Sequence, residues 1–152
     1  MVNVAVMKGR ITLFALAPLA SLTACTASDA ELVSAYDGIG ADEVITLGGT
    51  EPFWGAEING SELTYSTPDN IDGTLTTVER FAGNGGLSFS GELNGAALNA
   101  TVTPGTCSDG MSDFSYPFTA TMMLGDRLLQ GCGHTDKQPV TGQESSAGEA
   151  QQ

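Results

Sequence analysis

Residues 87–103, LSFSGELNGAALNATVT, constrain the fold more than any other stretch. Asn94-Gly95 is the signal for a two-residue type I′ turn, because both central positions need a positive φ. Folding the chain about it sets Leu87, Phe89, Gly91 and Leu93 on one face with Ala96, Leu98, Ala100 and Val102. Ser88, Ser90, Glu92, Asn99 and Thr101 take the other face. Strict alternation on both sides of a tight turn describes two antiparallel strands with one face buried and one wet.

The same grammar recurs along the chain. Residues 43–47 read as a strand that stops at Gly48-Gly49, and 53–58 as the next. Asn59-Gly60 predicts a second type I′ hairpin, pairing Ile58 with Ser61, Glu57 with Glu62, Ala56 with Leu63 and Trp54 with Tyr65. Glu57 and Glu62 then oppose each other on a solvated face, relieved by Arg80 or Arg127. Residues 66–73, STPDNIDG, are turn chemistry, and 74–81 form a strand. Pro104-Gly105 ends the strand that begins at Ala96. The last hairpin joins 116–124 to 127–132 about Gly125-Asp126, a type II′ pattern with Gly first. It sets Tyr116, Phe118, Ala120, Met122 and Leu124 on the face opposite Leu129. About eight short strands joined by hairpins predict an all-β fold. It is a small antiparallel meander closing as a barrel, with a sandwich as the alternative.

The N-terminus specifies a compartment. Lys8 and Arg10 precede the apolar run 11–22, ITLFALAPLASL, which ends at Leu22-Thr23-Ala24-Cys25. That is the layout of a secretory signal over residues 1–24, and the run is too short for a confident membrane span. Leu-Thr-Ala-Cys resembles the bacterial lipobox, which implies lipidation of Cys25. Several acyl chains anchor firmly where one is marginal. Thr26, and not an Asp, follows that Cys, which by resemblance to enterobacterial lipoprotein sorting implies the outer membrane, facing the periplasm. Residues 25–42 read as a tether with a short helical turn over 29–36. Residues 43–137 form the barrel, and 138–152 a polar, disordered tail.

All 18 Asp and Glu lie beyond that signal, against Arg80, Arg127 and Lys137. Such a surface repels nucleic acid and anionic head groups and suits a cationic partner. With Cys25 taken by lipid, two of the three cysteines remain. In an oxidising compartment they pair as Cys107–Cys132, closing a loop of about 26 residues and contributing about 3–4 kcal/mol. A two-Cys metal site is the alternative, with only His134 nearby.

Three places invite chemistry. Ser108-Asp109-Gly110-Met111-Ser112-Asp113 packs two carboxylates, two hydroxyls and a Gly beside Cys107. Such residues close Asx- and ST-turns unaided, and they lack the EF-hand pattern a Ca²⁺ loop would show. The segment is the candidate binding loop, since supported surface loops carry recognition. Phe53, Trp54 and Tyr65 form a candidate aromatic cluster, either a core plug or the lining of an apolar pocket. His134 sits at the edge of the tail, without a nucleophile-elbow motif. No catalytic set, metal set or cofactor motif emerges.

Gly49-Thr50-Glu51-Pro52-Phe53-Trp54, Cys107-Ser-Asp-Gly-Met-Ser-Asp113, Tyr116-Pro117-Phe118 and Leu129-Gln-Gly-Cys132 together resemble a family of uncharacterised bacterial exported lipoproteins, over about residues 44–133. The resemblance implies an exported, disulfide-bonded β domain and implies no activity. Family members often carry a basic residue after the second Asp, where this chain has Phe114. The expected function is a non-enzymatic binding or structural module of the cell envelope. It is held to the membrane by lipid and recognises an envelope protein or a small apolar ligand. The alternatives are an inhibitor of a basic, lysozyme-like envelope enzyme and a metal-dependent hydrolase.

Overall fold

The computed structural model describes residues 34–142, so Cys25, the signal segment and the distal tail lie outside the described residues. Eight strands form a closed antiparallel barrel in which each strand pairs with its neighbours in sequence and the last returns to the first. They are β1 (Ile45–Thr50), β2 (Phe53–Asn59), β3 (Glu62–Thr67), β4 (Asn70–Ala82), β5 (Leu87–Leu93), β6 (Ala96–Cys107), β7 (Tyr116–Leu124) and β8 (Arg127–Thr135). The barrel expected from the alternation is the fold observed, and the sandwich alternative is not.

The hairpin at Asn94-Gly95 has the expected register, with Leu93 facing Ala96, Phe89 facing Ala100 and Leu87 facing Val102. Both turn residues have positive φ, 51° at Asn94 and 82° at Gly95, as a type I′ turn demands. The last hairpin also keeps its pairing, Leu124 with Arg127 and Met122 with Leu129.

The first hairpin differs. Asn59 faces Glu62, so the turn is Gly60-Ser61, and of the two only Gly60 has positive φ. That is the type II′ pattern. Ile58 now faces Leu63, Ala56 faces Tyr65 and Glu57 faces Thr64. The move slides β3 by two residues, which preserves the inward face, so alternation alone could not choose between the registers. Like charges do choose. The expected register sets Glu57 against Glu62, and the observed one separates them.

Two presumed breaks are absent and one is shorter than expected. β1 runs through Gly48-Gly49 to Thr50, because the Trp54 indole occupies the space a side chain at Gly49 would need. The turn between β3 and β4 shrinks to Pro68-Asp69. β6 passes Pro104-Gly105 and reaches Cys107 after a register irregularity, which a bulge permits.

The barrel is filled. Around the wall, Tyr65, Ala56, Leu47, Gly133 and Phe118 follow one another across successive pairings, large beside small. Phe89, Ala100 and Met122 make a second such row. Alternating sizes let large side chains reach past small ones to the axis, which is how an eight-stranded barrel packs solid. The seam between β8 and β1 is the tightest place. A Cβ on Gly131 would run into the Gly48 carbonyl, so only glycine fits there. The ladder there ends at the Gly48–Cys132 pair, and Trp54 Nε1 donates to the next free carbonyl, Gln130 O, at 3.1 Å.

The two ends of the barrel differ. At the end holding the start of β1 and the close of β8, the expected tether turns inward. Ile39 is 1% exposed and joins the core. Arg80 donates to Ile39 O at 2.8 Å and Tyr36 N to Gly83 O at 2.7 Å. Residues 34–36, the part of the expected helical turn that is described, are irregular. Residues 138 and 141, assigned to the expected tail, make contacts with the barrel. Gln138 Nε2 donates to Gly38 O, and Thr141 forms a bridge with Ser115. The hairpin turns at residues 68–69, 94–95 and 125–126 surround the other end.

Candidate functional site

The candidate loop leaves β6 at Cys107 and folds back over the outside of the β8–β1 seam. Alternation fixes that side. Leu129, Gly131, Gly133 and Thr135 point into the barrel, so Gln130, Cys132 and His134 point out. The disulfide Cys107–Cys132, with Cα atoms 5.6 Å apart, ties the start of the loop to this outer face. Thr50 Oγ1 donates to Asp109 O at 3.2 Å and holds the loop against β1. Ser115 pairs its backbone with Thr141 and fixes the exit.

Asp109 organises the interior of the loop. Its Oδ1 accepts from Met111 N at 2.9 Å and Ser112 N at 2.8 Å. Its Oδ2 accepts from Ser112 Oγ at 2.8 Å and Tyr116 Oη at 3.2 Å. Ser108 Oγ accepts from Gly110 N and Ser112 Oγ from Phe114 N, both at 3.2 Å. Asp binding the N–H groups two and three residues ahead is a local turn device, and Gly110 supplies the positive φ of 73° that the bend needs. Hydrogen bonds from Met111 and Ser112 N–H, then the Ser112 hydroxyl, pull the Asp109 pKa down to about 2. Burial raises the Tyr116 pKa, and the neighbouring Asp109 charge adds to it.

This network accounts for Phe114. A carboxylate that accepts three hydrogen bonds from its own loop and a fourth from Tyr116 at the start of β7 needs no basic neighbour, and Phe114 N–H closes the turn. The charge of Asp109 is committed to structure. Met111, 70% exposed, and Asp113 stand outward at the tip.

Two clefts flank the loop. One, of about 240 Å³, is lined by Thr46, Trp54, Asp109, Tyr116 and His134 among others. The other, of about 320 Å³, is lined by Glu51, Ser108 and Gln130 with the seam glycines. His134 is therefore not at the margin of a tail. It lies in β8 opposite Thr46, with its ring centroid 6.2 Å from that of Tyr116. Parity carried the signal for His134: once Cys132 faces outward, the residue two positions on does too. Tyr116 was expected to point inward with Phe118. Beyond the irregularity between Pro104 and Cys107, its hydroxyl reaches Asp109 and its ring lies beside His134. Among the described residues no three His, Cys, Asp or Glu side chains converge.

Of the candidate aromatic residues, Trp54 and Tyr65 both belong to the buried core, and Phe53 does not. Phe53 is 53% exposed and points outward, whereas Trp54 is buried against the seam. Tyr65 is buried toward the opposite end from Ile39. Comparison with family models, curated proteins and solved structures finds no match to this chain.

Proposed function

We propose that the protein is a lipid-anchored component of the bacterial cell envelope whose barrel presents residues 108–113 as a docking surface for a basic envelope protein. The observation that carries this reading is the self-satisfied Asp109. All the polar groups it engages belong to the loop and its root, so loop geometry is set before any partner arrives. Preorganisation of this kind lowers the ordering cost of association. Met111 supplies an exposed, adaptable apolar contact. The acidic composition supplies long-range attraction for a cationic partner. The lipobox-like Leu22-Thr23-Ala24-Cys25 and the disulfide support the compartment. Inhibition of a basic glycosidase of the lysozyme type would be one outcome of such docking.

A photo-crosslinking residue at Met111 in living cells tests the reading, with the same probe at exposed Leu75 on β4 as control. A basic envelope protein captured from position 111 and not from 75, and lost with Asp113→Lys, is the expected result. Identical capture from both positions would sink it.

A further inference from the structure

We infer that the barrel lies side-on against the bilayer, with the outer face of β5–β8 and the adjoining Phe81 turned to the lipid head groups. The inference rests on the Cys25 lipid anchor proposed above. Charge is its first ground. Strands β2–β4 carry Glu57, Glu62, Asp72 and Glu79, all exposed. Across β5–β8 the sole acidic residue is Glu92, close to the Asn94-Gly95 turn. The outward positions of these strands hold hydroxyls and amides instead. One cross-strand row runs from Phe81 through Ser88, Thr101 and Thr121 to Gln130. In the next row Thr103 faces Thr119. With a formal charge of −13, the chain as a whole is repelled by anionic head groups. The uncharged face is where close approach meets least repulsion, and its hydroxyls are donors for head-group oxygens.

Two further observations select the same side. Phe81 is 67% exposed at one edge of the face, and Leu128 is exposed on β8, where it pairs with exposed Met123. Apolar side chains of this kind seat at the boundary between head groups and acyl chains. Leu75 is almost as exposed, at 61%, yet its row continues through Thr64 to Glu57, and Thr77 beside it faces Glu62. Glu79, two residues before Phe81, borders the face, and Arg80 between them offsets its charge. The chain also enters the described fold at the Phe81 edge, because Tyr36 N donates to Gly83 O at 2.7 Å. Tyr36 stands 36 − 25 = 11 residues beyond Cys25, a reach of at most about 40 Å. An anchor at Cys25 therefore pulls on the barrel from beside Phe81.

The full lipidated chain on vesicles of phosphatidylethanolamine and phosphatidylglycerol tests this. A benzophenone amino acid replaces Phe81, Leu128 or Leu75 in turn, and mass spectrometry reads phospholipid adducts after illumination. Flotation with the vesicles reads the anchor separately. Adducts at positions 81 and 128, with few at 75, are the expected result. Thr121→Glu, which sets a negative charge in the middle of the face, is expected to lower the adduct at 81 about fivefold while flotation persists. A floating chain with no adduct at 81, with equal adducts at 81 and 75, or with adducts indifferent to Thr121→Glu overturns the inference and leaves the anchor standing. A chain that does not float refutes the anchor, and this inference falls with it.

Discussion

The barrel buries a hydroxyl near each end, and the two are treated in opposite ways. Thr135 is fully buried, yet its Oγ1 donates to Glu43 Oε2 at 2.6 Å and accepts from Gln138 N at 2.9 Å. Glu43 in turn accepts from Gly40 N, and Lys137 pairs with Asp42 at 2.6 Å. Ile39, three residues before Asp42, is part of the buried core. Tyr65, toward the other end, is nearly as buried, and its hydroxyl has no partner among the described residues. A completed network locks chain segments in place, whereas an unpaired buried hydroxyl only costs stability. The closed end is braced by polar contacts, and the turn end leaves one buried hydroxyl unsatisfied.

If that contrast is right, losses of stability rank from the closed side to the open one. Removing the staple with Cys107→Ala and Cys132→Ala is expected to cost most, about 3 kcal/mol for a loop of this length. Chemical unfolding reads it, and a mild reductant should reproduce the loss in the unaltered chain. Ile39→Ala comes next, about 2 kcal/mol or somewhat more for an emptied core position. If Ile39→Ala leaves the unfolding midpoint unchanged, the plug is ornamental and the comparison breaks.

Acid is expected to act on the closed side and the loop. The Thr135 hydroxyl and the Gly40 N–H hold the Glu43 pKa below its ordinary value, and local N–H groups hold Asp109 at about 2. Each folded-state pKa lies below its unfolded value of about 4. The stabilisation is therefore complete above that value and is lost as pH falls toward 2. Asp109→Asn should flatten this acid limb in a pH series of melting temperatures; an unaltered limb would remove Asp109 from the account. Tyr65→Phe is expected to be the smallest, within about 1 kcal/mol and on the stabilising side, because it deletes an unpaired group. A loss larger than that of Ile39→Ala would reverse the assignment of the ends.

The sequence reveals the barrel because hydrophobic period and turn chemistry agree at most hairpins. Residues 87–103 leave one register, since Asn94-Gly95 and the alternation select the same one. Asn59-Gly60 misleads because both registers bury Trp54, Ala56, Ile58, Leu63 and Tyr65, and only the repulsion of Glu57 and Glu62 separates them. Gly48 and Gly49 read as a break because a glycine pair does not disclose that an indole fills its place. The loop was visible in its Asp, Ser and Gly content. Its position over the β8–β1 seam was not, because that depends on strands far apart in the chain. Ile39 was hidden as a lone apolar residue among glycines and acids. The missing partner of Tyr65 has no signature in sequence, since it is the absence of a contact.

The indole of Trp54 has a consequence for encounters between molecules. A seam that runs out of ladder bonds exposes backbone to which a foreign strand can add. In this barrel the first free carbonyl beyond the Gly48–Cys132 pair is already held by Trp54, and the disulfide-tied loop lies across the same face. Strand addition therefore finds no foothold there, either for a second copy growing into a fibril or for a partner extending the sheet. Recognition by this protein is left to side chains and turns, and encounters between copies do not pass into polymerisation through the seam.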